Sequence, residues 1–292
     1  MSKSAIGIAC GLGAASIWGG MYVVSKVVLA VIPPFSLIVL RLVLGSLTLW
    51  LMLALRGRTT ITAKLFWTVF GVGVIGYGVS LGFQFVGTKL STAANGALVT
   101  SATPAFVLLF AGLILHERIT CVRLIALALA SLGVLAVIDP RTATLDVSLF
   151  WGNLSLLAAA LTWALYSVLI RVVTRDLDVL TVTLVAFLGG LPVAAPAAAW
   201  EASSVQMGAI TVGLVLGVLF LGIISTALAM VMWNTAFASL DAGVASLTFF
   251  AQPVVGTFLG WAFLGETITP LFLLGGVLIA AGLVIASRQT AT

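Results

Sequence analysis

The sequence predicts an all-α membrane protein with ten transmembrane helices built as two inverted five-helix repeats. Three observations predict this fold: an apolar composition, ten apolar runs separated by short polar breaks, and an internal repeat. Of the 292 residues, 62% are hydrophobic and only 7% are charged. A soluble domain carries about a quarter of its residues as charged side chains, because its surface faces water. Most of this chain's surface is therefore expected to face lipid.

Ten apolar runs are long enough to be considered as membrane spans. A helix needs about 20 residues to cross the hydrocarbon core of a bilayer. The breaks between the runs are short, so no loop leaves room for a separate soluble domain. The candidate spans are 5–25, 35–55, 65–86, 93–114, 121–138, 148–170, 179–200, 213–236, 243–264 and 270–287.

Basic residues predict the orientation of these spans, because Lys and Arg are enriched in cytoplasmic loops. With a cytoplasmic N-terminus, nine Lys and Arg residues fall in inside segments and three in outside segments. Both termini are therefore expected in the cytoplasm, with the protein in the inner (plasma) membrane. The basic residues occur singly or in pairs, so nucleic acid is not an expected partner. The expected partners are a small-molecule substrate and the lipid bilayer, with the chain as a monomer or a homodimer.

An internal repeat relates the two halves of the chain. Ala14–Trp18 resembles Ala159–Trp163 at an offset of 145, and Glu117–Thr120 resembles Glu266–Thr269 at an offset of 149. Each half holds five spans, and an odd number forces the second copy to enter the membrane upside down. Such inverted repeats occur chiefly in transporters, with the substrate site at the repeat interface. The two predicted repeats are 1–145 and 146–292.

The repeated motifs also resemble a known family. They are a small-residue and Trp motif at Ser16–Gly19, the pairs Thr103-Pro104 and Gln252-Pro253, and a Leu-x-Glu-x-Ile-Thr motif at Leu115–Thr120 and Leu264–Thr269. In these features the chain resembles the EamA-type branch of the drug/metabolite transporter superfamily. Within that branch it is similar to YddG-like exporters of aromatic and other neutral amino acids. The resemblance implies a bundle in which helices 1–4 and 6–9 surround a central cavity, with helices 5 and 10 at the periphery.

Polar and aromatic residues inside the spans form the predicted substrate site, because lipid cannot satisfy their polar groups. Interhelical hydrogen bonding is the alternative interpretation for the uncharged members of this set. For Arg41, the alternatives are binding a substrate carboxylate or extending toward the lipid headgroups. The predicted substrate-binding residues are Trp18, Tyr22, Arg41, Tyr77, Gln84, Asn95, Thr100, Trp163, Tyr166, Asn234, Ser246 and Gln252.

Two prolines and two glycines are predicted gating or hinge positions. Pro104 and Pro253 each remove a backbone hydrogen bond within a span, which predicts a kink. Gly78 and Gly82 belong to the glycine-rich third span, where close helix packing is the alternative interpretation.

The predicted function is secondary transport, with export of amino acids or similar small metabolites by alternating access. The alternative is a membrane pore or channel for small polar solutes. An enzyme is not expected, since His116 is the single histidine and no metal-ligand or nucleophile–base spacing occurs. No cofactor and no metal are expected either. All eight Asp and Glu residues lie near span ends, so the substrate is expected to move down its own gradient without proton coupling.

Overall fold

A computed structural model describes residues 2–57, 61–91, 99–138, 149–175, 177–204, 208–264 and 270–288. Within these ranges the regular structure is helical, and the described residues contain no strand. Six helices are long and apolar enough to cross a membrane, and four shorter apolar helices accompany them. The prediction of an all-α membrane protein is thus confirmed at this level.

We number the helices in chain order. The six long ones are α1 (Lys3–Leu29), α2 (Pro34–Arg56), α3 (Ala63–Leu90), α6 (Phe150–Val173), α7 (Val179–Ser204) and α8 (Val212–Ser239). The other four are α4 (Thr103–Ile114), α5 (Cys121–Ile138), α9 and α10 (Pro270–Arg288). Helix α9 consists of Ala242–Leu247 and Ala251–Leu264, joined by a 3₁₀ turn at Thr248–Phe250.

Contacts at glycines define the direction of neighbouring helices. A β-carbon on Gly7 would lie 2.7 Å from Cγ of Leu240, and one on Gly217 would lie 2.9 Å from Cγ2 of Val28. Helices α1 and α8 are therefore antiparallel. We call the end of the bundle that contains Lys3 the proximal end, and the end that contains Leu29 the distal end. Small residues allow these close approaches between helix backbones.

Two π-helical segments interrupt the long helices α3 and α8. They span Val74–Ser80 and Phe220–Leu228, and their first residues are 146 positions apart. Widened turns change the hydrogen-bond pattern of the backbone and occur frequently at functional sites. In the second segment, the Thr226 hydroxyl donates a 2.7 Å hydrogen bond to the carbonyl oxygen of Leu221. Both segments lie beside the cavity described below.

Both prolines predicted to kink a span lie near the start of a helical segment. Pro104 is in the first turn of α4, after a turn at Ser101 and Ala102, and Pro253 is the third residue of Ala251–Leu264. Proline suits the first turn of a helix, because the N–H that it lacks has no partner there anyway. Pro104 therefore helps to start α4, and Pro253 follows closely on the 3₁₀ turn that interrupts α9.

Helices α5 and α10 pack on each other with their glycines at the contact. A β-carbon on Gly133 would lie 2.7 Å from the carbonyl oxygen of Gly275, and one on Gly282 would lie 2.7 Å from that of Ala126. Large apolar side chains on both helices are exposed, including Ile125 at 52% and Val277 at 66%. These exposed faces fit contact with lipid. Four tryptophans near helix ends are also exposed: Trp50, Trp67, Trp151 and Trp200.

Candidate functional site

A cavity lies in the bundle between helices from both halves of the chain. About 470 Å³ of empty space lies between its lining residues, and this figure includes solvent at its open side. Six of the twelve predicted substrate-site residues line it: Trp18, Arg41, Gln84, Thr100, Trp163 and Gln252. The remaining lining residues are Met21, Ser80, Leu81, Thr103, Ala159, Ala160, Met230 and Phe249.

Tryptophans from the repeated motif form the floor of this cavity. The ring centroids of Trp18 and Trp163 are 5.8 Å apart in an edge-on arrangement. Trp18 also contacts Trp233, with centroids 5.3 Å apart, and its Nε1 donates a 3.0 Å hydrogen bond to the carbonyl oxygen of Ser225. Edge-on and stacked aromatic pairs are favourable and hold ring orientations. The floor is therefore a rigid apolar surface near the middle of α1 and α6.

Arg41 is the charged residue of the described cavity lining and is only 1% exposed. Its Nε donates a 2.9 Å hydrogen bond to the Thr226 hydroxyl, and its guanidinium carbon lies 5.3 Å from the centroid of the Phe85 ring. Its Nη2 lies 3.5 Å from the sulfur of Met21. Nη1 has no hydrogen-bond partner within the described residues. The side chain thus points into the bundle rather than toward lipid headgroups.

Two further lining side chains have buried polar atoms without a partner in the part of the chain that the structure describes. They are the Thr103 hydroxyl and Oε1 of Gln252. Buried polar groups are normally hydrogen-bonded, and exceptions require an explanation such as a ligand or ordered water. Together with Nη1 of Arg41, these atoms give the cavity unused hydrogen-bonding capacity.

Tyr77, Tyr166 and Asn234 lie behind the floor instead of lining the cavity. The two tyrosine hydroxyls are hydrogen-bonded to each other, and the Tyr166 hydroxyl donates a 3.1 Å hydrogen bond to Oδ1 of Asn234. Nδ2 of Asn234 donates a 2.9 Å bond to the Thr183 hydroxyl. All four side chains are fully buried. This network joins α3, α6, α7 and α8, as in the alternative interpretation of interhelical hydrogen bonds.

The other predicted site residues are placed as follows. Ser246 is buried in the first segment of α9, where its hydroxyl donates a 2.8 Å hydrogen bond to the carbonyl oxygen of Gly243. Tyr22 belongs to α1, but its side chain lies outside the described part of the structure, as does the whole of Asn95. At the hinge positions, a β-carbon on Gly78 would lie 2.8 Å from Val193, and one on Gly82 would lie 3.2 Å from Phe35.

Sequence reasoning did not single out eight of the lining residues. Ser80 and Thr103 are polar residues inside apolar runs, so the criterion that selected Thr100 could have found them. Met21, Met230 and Phe249 carry no such signal, because apolar side chains face the core, the lipid and a cavity alike. Their selection required the packing of the helices.

Four charged residues form a cluster at the proximal end, which we call the charge cluster: Glu117, Arg123, Arg171 and Asp241. Glu117 pairs with Nη1 of Arg123 at 3.1 Å and with Nε of Arg171 at 3.4 Å. Asp241 pairs with Nη2 of Arg171 at 3.1 Å and also with Arg123. The cluster therefore ties together the segment after α4, the start of α5, the end of α6 and the α8–α9 turn.

Glu117 also caps a helix. Its carboxylate accepts hydrogen bonds from the backbone N–H groups of Ala242 at 2.8 Å and of Gly243 at 3.3 Å. Carboxylates stabilise helix N-termini by satisfying such unpaired N–H groups. The preceding residue, His116, has a φ of 55°, a left-handed conformation that turns the chain after α4. Glu117 thus pairs with two arginines and also satisfies the N-terminus of α9.

Comparisons with known proteins agree with this architecture. Residues 5–138 and 150–288 match the model of the EamA-like transporter family. The chain is 26% identical over 283 residues to the uncharacterized transporter YoaV of Bacillus subtilis (strain 168), with 91% of each protein covered. It is 27% identical to a Salmonella typhimurium protein named probable amino-acid metabolite efflux pump, covering 92% of this chain and 90% of that one. A solved crystal structure superposes with a TM-score of 0.82 at 22% identity, covering 98% of this chain and 97% of the other, which supports the fold.

Proposed function

The chain belongs to the EamA-like transporter family, and from this premise we propose that it is a secondary transporter that exports amino acids or similar small metabolites. One observation carries the proposal: a cavity at mid-bundle that is lined by both halves of the chain and backed by closed packing on its proximal side. A carrier needs such a chamber, reached from one side at a time. The name of the Salmonella relative supports the choice of substrate class.

We further propose that the two matches to the family model correspond to inverted five-helix repeats. The π-helical segments support this arrangement, because they recur at an interval of 146 residues in α3 and α8. The floor of the cavity supports it as well, since the repeat-related residues Trp18 and Trp163 meet there. Rocking of one repeat against the other would expose the chamber alternately at the two ends.

The proximal closure has two layers in this proposal. The first consists of the fully buried side chains Trp233, Phe237 and Phe250 beyond the tryptophan floor. The second is the charge cluster, whose ion pairs hold the proximal ends of α4, α5, α6 and α9 together. Opening toward the proximal side requires both layers to separate. Ion pairs can close the proximal side because their favourable contacts form in the closed arrangement and are lost in the open one.

We propose that the proximal end faces the cytoplasm, and thiol labelling provides the test. In a variant with Cys10 and Cys121 replaced by Ala, a single Cys is introduced either at Ala202 near the distal end or at Lys64 near the proximal end, both of which are exposed. A membrane-impermeant maleimide added to intact cells is expected to label Ala202→Cys and to leave Lys64→Cys unmodified. Labelling of Lys64→Cys with protection of Ala202→Cys would reverse the orientation.

Transport is expected to follow the substrate gradient without proton coupling. A proton-coupled carrier places a titratable carboxylate or histidine in its transport path, and the described cavity lining holds no Asp, Glu or His. In proteoliposomes, an imposed pH gradient should not drive accumulation above equilibrium. Accumulation above equilibrium that is abolished by Glu117→Gln would show instead that the charge cluster carries a proton.

Counterflow distinguishes the proposed carrier from a pore. Purified protein is reconstituted in liposomes preloaded with an unlabelled neutral amino acid, and uptake of the same labelled amino acid is followed over a panel of side chains. A carrier accelerates this uptake when preloaded, because loaded sites return faster than empty ones, whereas a pore shows no acceleration. Acceleration by at least one member of the panel is expected. Equal uptake with and without preloading, at rates above those of empty liposomes, would favour the pore.

A further inference from the structure

We infer that Arg41 forms a carboxylate-binding site and that the transported class is amphipathic monocarboxylates, for which an α-amino group is dispensable. The inference rests on the proposed transport function and deepens it. Neutral amino acids are then one subset of the substrates, together with related acids that lack the amine. The juxtaposition that supports it is an unpartnered guanidinium nitrogen, a tryptophan floor and a lining without acidic residues.

The guanidinium of Arg41 is held in place but not neutralised. Its Nε is fixed by the Thr226 hydroxyl at 2.9 Å, and the face of the group lies over Phe85. Nη1 remains without a partner among the described residues, although the side chain is 99% buried. A charged residue at membrane depth is costly unless it pairs with an opposite charge. An incoming carboxylate supplies that charge and accepts charge-assisted hydrogen bonds.

No acidic residue lines the cavity beside Arg41 in the described structure, and Glu201 of the neighbouring helix α7 instead accepts hydrogen bonds from the N–H and hydroxyl of Ser36. The first acidic residue of the chain is Glu117, so 1–116 contains no Asp or Glu at all. This segment includes α1, α2, α3 and α4, which supply the wall on the Arg41 side. Among the described lining residues from the other helices, none is acidic either. The positive charge therefore has to be matched by the substrate.

The lack of acidic residues in the described lining also determines how an α-ammonium group of the substrate would bind. It would find no carboxylate in the described lining, and only neutral acceptors such as Oε1 of Gln252 or the faces of Trp18 and Trp163. The ammonium therefore gains little and loses its hydration on entry. The unpartnered Thr103 hydroxyl can add a donor to a carboxylate bound at Arg41. The apolar part of the substrate would pack on the tryptophan floor.

Four phenyl compounds separate the contributions of carboxylate and amine: 3-phenylpropionate, phenylalanine, phenethylamine and 3-phenylpropanamide. Binding to the purified full-length protein in detergent is measured from the ligand-dependent shift of its thermal unfolding midpoint. The affinities of phenylpropionate and phenylalanine are expected to differ by less than about tenfold. The corresponding difference in binding free energy is smaller than the contribution of one charge-assisted hydrogen bond. The amide and the amine are expected to bind about 10- to 100-fold more weakly than phenylpropionate, because they lack the carboxylate.

Variants test whether Arg41 provides this preference. Arg41→Gln should remove the advantage of phenylpropionate over its amide, and Arg41→Lys, which keeps the charge but loses the forked geometry, should restore part of it. Without ligand, Arg41→Gln should unfold at the same or a higher temperature, because it removes an unneutralised buried charge. If that variant fails to fold, Thr103→Val provides a second test, because it keeps the side-chain shape but removes the hydroxyl. It should lower the affinity for phenylpropionate several-fold, as expected for the loss of one hydrogen bond.

The outcomes separate this inference from the proposed function. Equal binding of the amide and the carboxylate by the unmodified protein would overturn the inference, as would absence of any binding by phenylpropionate. Counterflow of neutral amino acids would still stand in either case. Conversely, carboxylate-dependent binding with no counterflow by any of the compounds would support the binding site and contradict transport.

Discussion

Replacing Glu117 with Gln is expected to shift the protein about tenfold toward a form that is open at the proximal end. The substitution leaves Arg123 and Arg171 with Asp241 as their remaining acidic partner in the charge cluster, and it weakens the cap of α9. Breaking a fully buried ion pair costs about 3–5 kcal/mol. We expect a smaller effect because the Asp241 side chain is 39% exposed; a factor of ten corresponds to about 1.4 kcal/mol. The substitution can change the populations of the closed and open forms only if the lost interactions are stronger in one form than in the other.

Accessibility of the chamber from the proximal side measures this shift. In inside-out vesicles of a Cys-free variant, a single Cys at Ser80 should react faster with an impermeant maleimide when Glu117→Gln is present. Glu201→Gln is the matched control, because the Glu201 carboxylate also caps a helix, accepting a 2.9 Å bond from the N–H of Ser36, but does so at the distal end. Unchanged reactivity in the Glu117 variant would mean that the charge cluster supports the fold without closing the chamber.

Replacing Trp163 with Ala is expected to lower transport at least several-fold. Trp163 is 8% exposed, stacks on Tyr166 with centroids 4.8 Å apart and contacts Trp18 edge-on, so its loss removes half of the cavity floor. Aromatic surfaces dominate the energetics of binding sites. Counterflow of the preferred substrate in proteoliposomes measures the effect. A shift in the half-saturating concentration at unchanged protein recovery would locate the loss in binding.

Trp151→Ala provides the control for this prediction within the same helix. Trp151 also lies on α6 but is 70% exposed near the start of the helix, where tryptophans commonly meet the bilayer surface. It should retain nearly full transport. Removing a buried tryptophan also creates a cavity that costs about 3–5 kcal/mol, so both variants must elute as single species before their transport is compared. Loss of folding in Trp163→Ala together with normal transport by Trp163→Phe would assign the residue to packing.

The sequence was sufficient to predict the helical class and about half of the residues that line the cavity. Composition determined the class, since a chain with 7% charged residues cannot cover itself with a polar surface. The paired motifs led to Trp18 and Trp163, which meet at the cavity floor. Intramembrane polarity led to Arg41, Gln84, Thr100 and Gln252, because a polar group in lipid requires a partner or a cavity.

The same criterion could not separate lining residues from residues of buried networks. Tyr77, Tyr166 and Asn234 satisfy one another's hydrogen bonds behind the floor, and this depends on which helices touch rather than on each residue's own chemistry. The π-helical segments were not predicted either, since local sequence gives no established signal for a widened turn. Pro104 was placed in the middle of a span because apolar runs do not reveal where one helical segment ends and another begins.

Substrate protection of a single cavity thiol tests most directly whether this cavity is the transport chamber. Gln84 lines the cavity, whereas its neighbour Phe83 is 40% exposed on another face of α3. In the Cys-free protein reconstituted in liposomes, an impermeant maleimide should modify Gln84→Cys and block counterflow, and excess transported substrate should slow both effects in parallel. Phe83→Cys should show neither effect. Complete modification of Gln84→Cys with undiminished counterflow would contradict the proposal that the substrate passes through this cavity.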